Sequence, residues 1–318
     1  MSETKIEWAT HTWNPVTGCS KVSSGCANCY AERMSKRLAG RCGYPLDNPF
    51  RVTLHPDKLK DPLKWKKPRR IFVNSMSDLF HDDVPDSFLD LVFASMAKAS
   101  QHTFLVLTKR PERMSNYILK AMFDEECNYD GLYAALDELG IPDANPMANV
   151  WLGVSVENQA AAERISILKQ IPAAVRFVSF EPLLGEINLT PDLWKDIDWA
   201  IVGGESGPGA RPMHPDWVRS LRNQCQVAGT KFFFKQWGEF REVCRYNSWP
   251  KYADAVAGVA RAIGVDRSAL LNADGSDLVN GGPDHKVYPI SHLARVGKKK
   301  AGRELDGRTW NEFPEVQS

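Results

Sequence analysis

Six stretches of this chain share a layout that few folds can accommodate: a short, nearly unbroken apolar run closed by a polar or charged residue. They are RRIFVNSMSD (Arg69–Asp78), TFLVLTKR (Thr103–Arg110), NVWLGVSVEN (Asn149–Asn158), VRFVSFEP (Val175–Pro182), DWAIVGGES (Asp198–Ser206) and TKFFFKQW (Thr230–Trp237). A strand that is apolar without alternation is buried on both faces, as in a parallel sheet covered by helices. Two weaker runs precede them, TWNPVTG (Thr12–Gly18) and FRVTLHP (Phe50–Pro56), which makes about eight expected strands.

Helical patterns fill several of the gaps. Asp86 is placed to cap a helix whose stripe is Phe88, Leu89, Val92, Phe93 and Met96. Pro111 can open a second, through Met114, Tyr117 and Ile118, and Ala162, Ile165 and Leu168 mark a third. In a fourth, Pro215 suits the first turn, Trp217, Val218, Leu221 and Cys225 form the stripe, and Gly229 the stop. Strand alternating with helix predicts an α/β fold, a (β/α)8 or partial TIM-type barrel with parallel strands. A doubly wound sheet is the competing architecture, although no Gly-x-Gly-x-x-Gly follows an early strand. The barrel is expected over residues 1–240, with an insertion at about 121–148. Residues 241–318 are expected to be a small C-terminal extension, whose Gly and Asp punctuation in ADGSDLVNGG and ELDGRTW signals turns and a hairpin.

Composition narrows the setting. With 43% hydrophobic and 25% charged residues the chain reads as soluble and globular, and no apolar run reaches membrane-spanning length. The start, MSETKIEWATHTW, lacks the layout of a secretory signal, so a cytoplasmic location is expected. A net charge of +1 exerts no global pull on polyanions, which leaves local patches. Seven cysteines, three of them clustered, point to metal binding rather than a disulfide framework.

The cluster is Cys19, Cys26 and Cys29, spaced Cys-x6-Cys-x2-Cys between a candidate first strand and the helix starting near Ala31. In a barrel that loop sits at the C-terminal face of the strands, where active sites are built. Structural zinc normally takes four protein ligands, whereas three leave a coordination position open. Zinc closed by Cys42, His11 or His55 remains the alternative.

The cysteine segment, together with IFVNSMSDLFH, LTKRPERM, GVSVENQ, SFEPLLG, IVGGESGPGARPM and FFFKQWGE, resembles the phage-associated three-cysteine-motif family, often called the Gp37/Gp68 family, with a radical-SAM-like barrel. The resemblance runs from about Ile6 to Phe240 and resumes in the tail. It implies a 4Fe-4S cluster held by Cys19, Cys26 and Cys29, S-adenosylmethionine as cofactor, an electron donor as partner, and a bacterial or phage-infected host cell. The commonest radical-SAM pattern is Cys-x3-Cys-x2-Cys with an aromatic residue before the last cysteine. Here the first gap is six, Asn28 takes the aromatic's place and Tyr30 follows Cys29.

In a barrel the residues ending the strands converge on one mouth. Ser75, Ser77, Asp78, Ser155, Glu157 and Glu205 are the cofactor-binding candidates; Lys109, Glu181 and His81 are the catalytic ones. Lys109 and Arg110 could meet a carboxylate or a substrate phosphate. The bland reading is that Lys109, Glu157, Glu181, Glu205 and Lys235 neutralise one another, and that His81 is a hydrogen-bonded loop residue.

The run KWKKPRR, with Lys64, Trp65, Lys66, Lys67, Arg69 and Arg70, could grip a nucleic-acid backbone while Trp65 stacks on a base; GKKKAGR (Gly297–Arg303) is a second basic run. The alternative for both is a solvated surface. Trp194, Trp199, Trp217 and Trp237 fit core packing, and Cys127, Cys225 and Cys244 have no companion spacing. The leading expectation is a radical-type iron–sulfur enzyme acting on a nucleic-acid base, nucleotide or DNA-modification precursor, with photoproduct-type base repair as one version. The others are a noncatalytic nucleic-acid-binding protein with a structural zinc, and a metal-dependent hydrolase, which no strand-end histidine supports.

Overall fold

The computed structural model describes residues 3–123, 134, 148–247, 268–274 and 289–315. Most of the expected insertion, with Cys127, and most of ADGSDLVNGG lie outside the described residues. The fold is mixed α/β, built on a seven-stranded parallel sheet whose strand order has the topology of a partial TIM-type barrel.

In chain order the strands are β1 (His11–Trp13), β2 (Val16–Thr17), β3 (Thr53–Leu54), β4 (Arg70–Val73), β5 (Thr103–Thr108), β6 (Val150–Ser155), β7 (Val175–Phe180), β8 (Trp199–Gly203) and β9 (Lys231–Gln236). The large sheet runs β1-β4-β5-β6-β7-β8-β9, so all six strong apolar runs enter it. The expectation of eight strands is corrected to seven. The Thr12–Gly18 run breaks at Asn14-Pro15 into β1 and β2. Thr53–Leu54 pairs antiparallel with β2 (Val16↔Leu54) instead of joining the sheet, because Pro56 opens a 3-10 turn and stops the strand after two residues.

The helices are α1 (Tyr30–Leu38), α2 (Asp86–Lys98), α3 (Pro111–Phe123), α4 (Glu163–Lys169), α5 (Pro191–Trp194), α6 (Pro215–Ala228) and α7 (Lys298–Ala301). The α2 stripe, Phe88, Leu89, Val92, Phe93 and Met96, is buried as its spacing requires. Asp86 is not the cap: Pro85 occupies that position, and the Asp86 carboxylate in the first turn pairs with Arg113 and Lys120. At α6, His214 caps by accepting from Asp216 N, and Gly229 closes the helix at φ 75°.

Two compact units divide the chain. The first holds residues 1–155, 163–178 and 196–198. Its strands β1, β4, β5 and β6 pair in parallel, His11↔Ile71, Ile71↔Phe104 and Phe104↔Val150. Trp13 is fully buried, its ring edge-on to Phe104 at 5.8 Å and its indole N–H given to Lys58 O at 2.8 Å. The second unit holds residues 156–162, 179–195 and 199–318. It contains the parallel pair β8–β9 and two small sheets. One is antiparallel, from β10 (Phe240–Tyr246), β11 (Ser268–Leu271) and β12 (Ile290–Arg295), in the order β10-β12-β11. The other is the hairpin β13 (Glu304–Leu305) and β14 (Arg308–Thr309). Its turn is Asp306-Gly307, both at positive φ (52° and 79°), as a two-residue hairpin turn of this type demands.

Trp194, Trp199 and Trp217 are buried, and Trp237 packs edge-on to Phe234 at 4.8 Å, all structural as expected. Cys225 is fully buried on the apolar face of α6, and that burial pushes its thiol pKa up. Among the described residues no helix is long and apolar enough to cross a membrane.

Candidate functional site

At the C-terminal ends of the first unit's strands lies a pocket of about 210 Å³. Its walls include Cys19, Cys26 and Cys29, the β4 exit (Asn74, Ser75, Ser77, Asp78), the β5 exit (Thr108, Lys109, Arg110) and Ser155 at the end of β6. A larger cavity of about 550 Å³ opens in the second unit between α5 and α6. Leu189, Pro191, Trp194 and Val227 dominate it and Lys195 is the one charged lining residue among the described residues, so volume and chemistry point to different places, and chemistry decides.

The cysteine loop is built from its entrance. Gly18 stands at φ 83°, and a Cβ there would meet Arg51 O at 2.1 Å, so no other residue fits. Gly18 N donates to Met76 O and Cys19 N to Phe50 O, both at 3.1 Å. Cys26 closes a short 3-10 turn (Ser24–Cys26), and Cys29 is the N-cap of α1. All three cysteines are partly exposed, and none is in a disulfide.

Asp78 and Arg110 form the buried ion pair of the site, Nη1 to Oδ2 at 3.3 Å with both side chains 9% exposed. Asp78 Oδ1 also accepts from Thr108 Oγ1 (2.7 Å) and Phe80 N (3.0 Å), and Oδ2 from Lys109 N (3.0 Å). Arg110 donates in addition to Ser20 Oγ (2.9 Å), Ser20 O (3.2 Å) and Cys19 Sγ (3.6 Å). Burial works against the Arg110 charge, but Asp78 and Cys19 outweigh it and hold its pKa up. Burial, then Asp78, pushes the Cys19 thiol up in turn.

The candidates divide by unit. Ser75, Ser77, Asp78, Lys109 and Ser155 come together with the thiols. Ser75 Oγ donates to Asn14 Oδ1 (3.1 Å) and Ser77 Oγ to Val16 O (2.9 Å), so both hydroxyl protons are spent on holding the β1–β2 segment. Among the described residues no bond of the half-buried Lys109 ammonium is found. His81 is buried beneath the cysteine loop, Nε2 2.8 Å from Ser20 Oγ and Nδ1 accepting from Asp83 N at 3.1 Å. Burial and then Arg110 lower its pKa, so it is a neutral, bonded loop residue.

Glu157, Glu181 and Glu205 belong to the second unit. Glu181 pairs with Lys235 at 3.0 Å and accepts from Ser179 Oγ at 3.3 Å. Glu205 holds Arg211 through both oxygens (2.9 and 2.7 Å), and those bonds raise the Arg211 pKa. Glu157 is fully buried.

The basic run sits elsewhere on the first unit. Lys64 pairs with Asp61 at 2.7 Å, Lys66 and Lys67 are exposed, and Arg70 starts β4, at the end opposite the pocket. The Trp65 ring is covered by the Arg69 guanidinium at 4.5 Å and flanked by His11 and His102, so it is not an open stacking platform.

Sequence reasoning overlooked Ser20 and Asn14, and assigned Arg110 to a ligand when its fork is taken by Asp78, Ser20 and Cys19. No spacing rule announces a contact between residues 91 apart. Of the candidate zinc closures, His55 is bonded to Thr17 Oγ1 at 2.8 Å, His11 lies against Trp65, and Cys42 is exposed.

The donor set can be matched to a metal group. Sulfurs around one zinc at about 2.3 Å stand about 3.8 Å apart by tetrahedral geometry. Among the described residues no three Cys, His, Asp or Glu side chains gather on one ion. Cys19, Cys26 and Cys29 are unbridged and line one pocket, and thiolates are the donor type that an iron–sulfur cluster takes.

Among solved structures, the chain is similar to a cysteine-to-serine variant of spore photoproduct lyase, 13% identical with a TM-score of 0.39, over 82% of this chain and 73% of that one. It is also similar to spore photoproduct lyase complexed with dinucleoside spore photoproduct (11%, TM-score 0.39, 92% and 70%). A double variant with bound AdoMet and dinucleoside spore photoproduct gives 12%, a TM-score of 0.40, and the same coverage of 92% and 70%. Likeness this distant says nothing of this chain's chemistry. No curated protein matches it. A family model, not under the Gp37/Gp68 name, matches residues 3–314, almost the whole chain. The chain therefore belongs to the family described as protein of unknown function DUF5131.

Proposed function

We propose that this protein is a radical-type iron–sulfur enzyme, with Cys19, Cys26 and Cys29 anchoring a 4Fe-4S cluster and S-adenosylmethionine binding beside it. The observation that carries the reading is the gathering of three unbridged thiols on one pocket at the C-terminal ends of the strands. When bound, such a cluster supplies one electron for reductive cleavage of S-adenosylmethionine to a 5′-deoxyadenosyl radical.

The chain's own residues do the rest. Gly18 and the Ser75–Asp78 segment fix the loop entrance; Asp78 and Arg110 fix the Cys19 thiol. With their protons committed, Ser75 and Ser77 present lone pairs to a ligand donor such as an ammonium or a ribose hydroxyl. Lys109 offers a cation to a carboxylate or phosphate. A nucleic-acid base, nucleotide or DNA-modification precursor is the proposed substrate class, and an electron donor the proposed partner.

Anaerobic purification tests the cofactor without knowledge of the substrate. The expected result is a brown protein with about four irons per chain, which releases 5′-deoxyadenosine on incubation with S-adenosylmethionine and a reductant. Colourless protein carrying one zinc, and no cleavage under several reductants, overturns the reading.

A further inference from the structure

We propose that Arg110 is a positioning residue that also tunes charge at the Cys19 corner of the cluster, through an N–H···S hydrogen bond clamped by Asp78 and Ser20; this rests on the three-thiol reading above. Cys19 differs from its companions. Among the described residues it alone of the three receives a guanidinium N–H, at 3.6 Å from Nη1. The polar contact recorded for Cys26 is a hydroxyl, Ser23 Oγ at 3.9 Å, and Cys29 heads α1 without a side-chain cap bond.

The guanidinium is fixed in advance. Nη1 is shared between Cys19 Sγ and Asp78 Oδ2, and Nη2 between the hydroxyl and carbonyl oxygens of Ser20. Asp78 is held in turn by Thr108 Oγ1, Phe80 N and Lys109 N. Ser20 Oγ is held by His81. Because His81 Nδ1 accepts from Asp83 N, its ring proton is on Nε2 and is donated to that hydroxyl. A planar fork with four acceptors cannot swing away without breaking several bonds.

One-electron reduction adds negative charge to a cluster and its thiolates, with no bond made or broken. A cation and a donor at one thiolate stabilise the reduced form more than the oxidised one and raise the potential. The Asp78 carboxylate, on the same guanidinium, opposes this. Arg110 and Asp78 therefore act with opposite signs, which loosened packing cannot imitate.

The test is a dithionite titration of the full-length chain, loaded anaerobically with iron and sulfide and followed by electron paramagnetic resonance. Arg110→Gln is expected to lower the reduced-to-oxidised ratio at fixed poise about tenfold, or about 59 mV for a one-electron couple. Arg110→Lys falls between, and Asp78→Asn shifts the other way. If Arg110→Gln loads no iron, Arg110→Lys carries the measurement. Loaded Arg110 variants with an unchanged potential, or Arg110→Gln and Asp78→Asn shifting in the same direction, overturn the inference and leave the cluster reading standing. A wild-type chain that takes up no iron overturns both.

Discussion

The strand ends of the first unit and those of the second carry the same signature in sequence, charge where an apolar run stops, and put it to different use. In the second unit the charges satisfy one another: Glu181 takes Lys235, and Glu205 takes Arg211 through both oxygens. In the first, Asp78 and Arg110 also pair, but the pair is built into the cysteine loop, and Lys109 beside it is left facing a pocket with three thiols. Charge at the end of a buried strand is thus no functional signal by itself. What separates the two cases is whether a neighbouring loop brings chemistry that the charges can hold.

The largest effect that could break this contrast concerns iron. Cys26→Ala is expected to abolish it, whereas Cys42→Ala and Cys244→Ala keep it, measured as iron per chain after anaerobic purification; iron retained by Cys26→Ala ends the distinction. Next comes stability. Asp78→Ala leaves Arg110 buried and unpaired and is expected to cost about 3–5 kcal/mol. Glu181→Ala, whose pair keeps some solvent contact, is expected to cost about 1 kcal/mol. Urea midpoints of the two variants compare them directly, and equal costs would show that the two pairs are energetically alike.

A pH test sharpens the comparison within the second unit. Burial pushes the His214 pKa down to about 4, so as pH falls from 6.5 the unfolded chain takes up a proton that the folded chain refuses. The destabilisation starts near pH 6.5 and is complete near pH 4, where it amounts to about 3 kcal/mol. His214→Asn keeps an acceptor for Asp216 N and removes the titration, so its urea midpoint should fall less between pH 7 and pH 5 than that of the wild type. A parallel fall in both proteins refutes the assignment. The smallest effect is Ser77→Ala, which loses one bond to Val16 O and is expected to cost about 1 kcal/mol in the same unfolding measurement.

The legible parts of the fold were those whose pattern is local. Strands buried on both faces and helices with a 3.6-residue stripe show in the sequence because every residue obeys one period. The two-residue strand Thr53–Leu54 does not, since it is too short for a period to show before Pro56 ends it, and its partner Val16–Thr17 lies about 37 residues away. In β10 the exposure alternates along Phe240–Tyr246, but Glu242 takes an inner position and Val243 an outer one, so the residue types do not show the period. The three cysteines were legible because their spacing is short. The role of Arg110 was not, because it exists only once β5 lies beside β4 and the loop folds back over both.

Gly18 has a bearing on the unusual cysteine spacing. The entrance to the loop is locked by a left-handed backbone pressed on Arg51 O, and its exit by the first turn of α1. Between them, Lys21 ties back to Glu32 of α1 at 3.1 Å and Val22 borders the pocket. The first gap is thus a tether held at Ser20 and Lys21 as well as at its two ends, so a change in its length there would pull on the pocket wall itself.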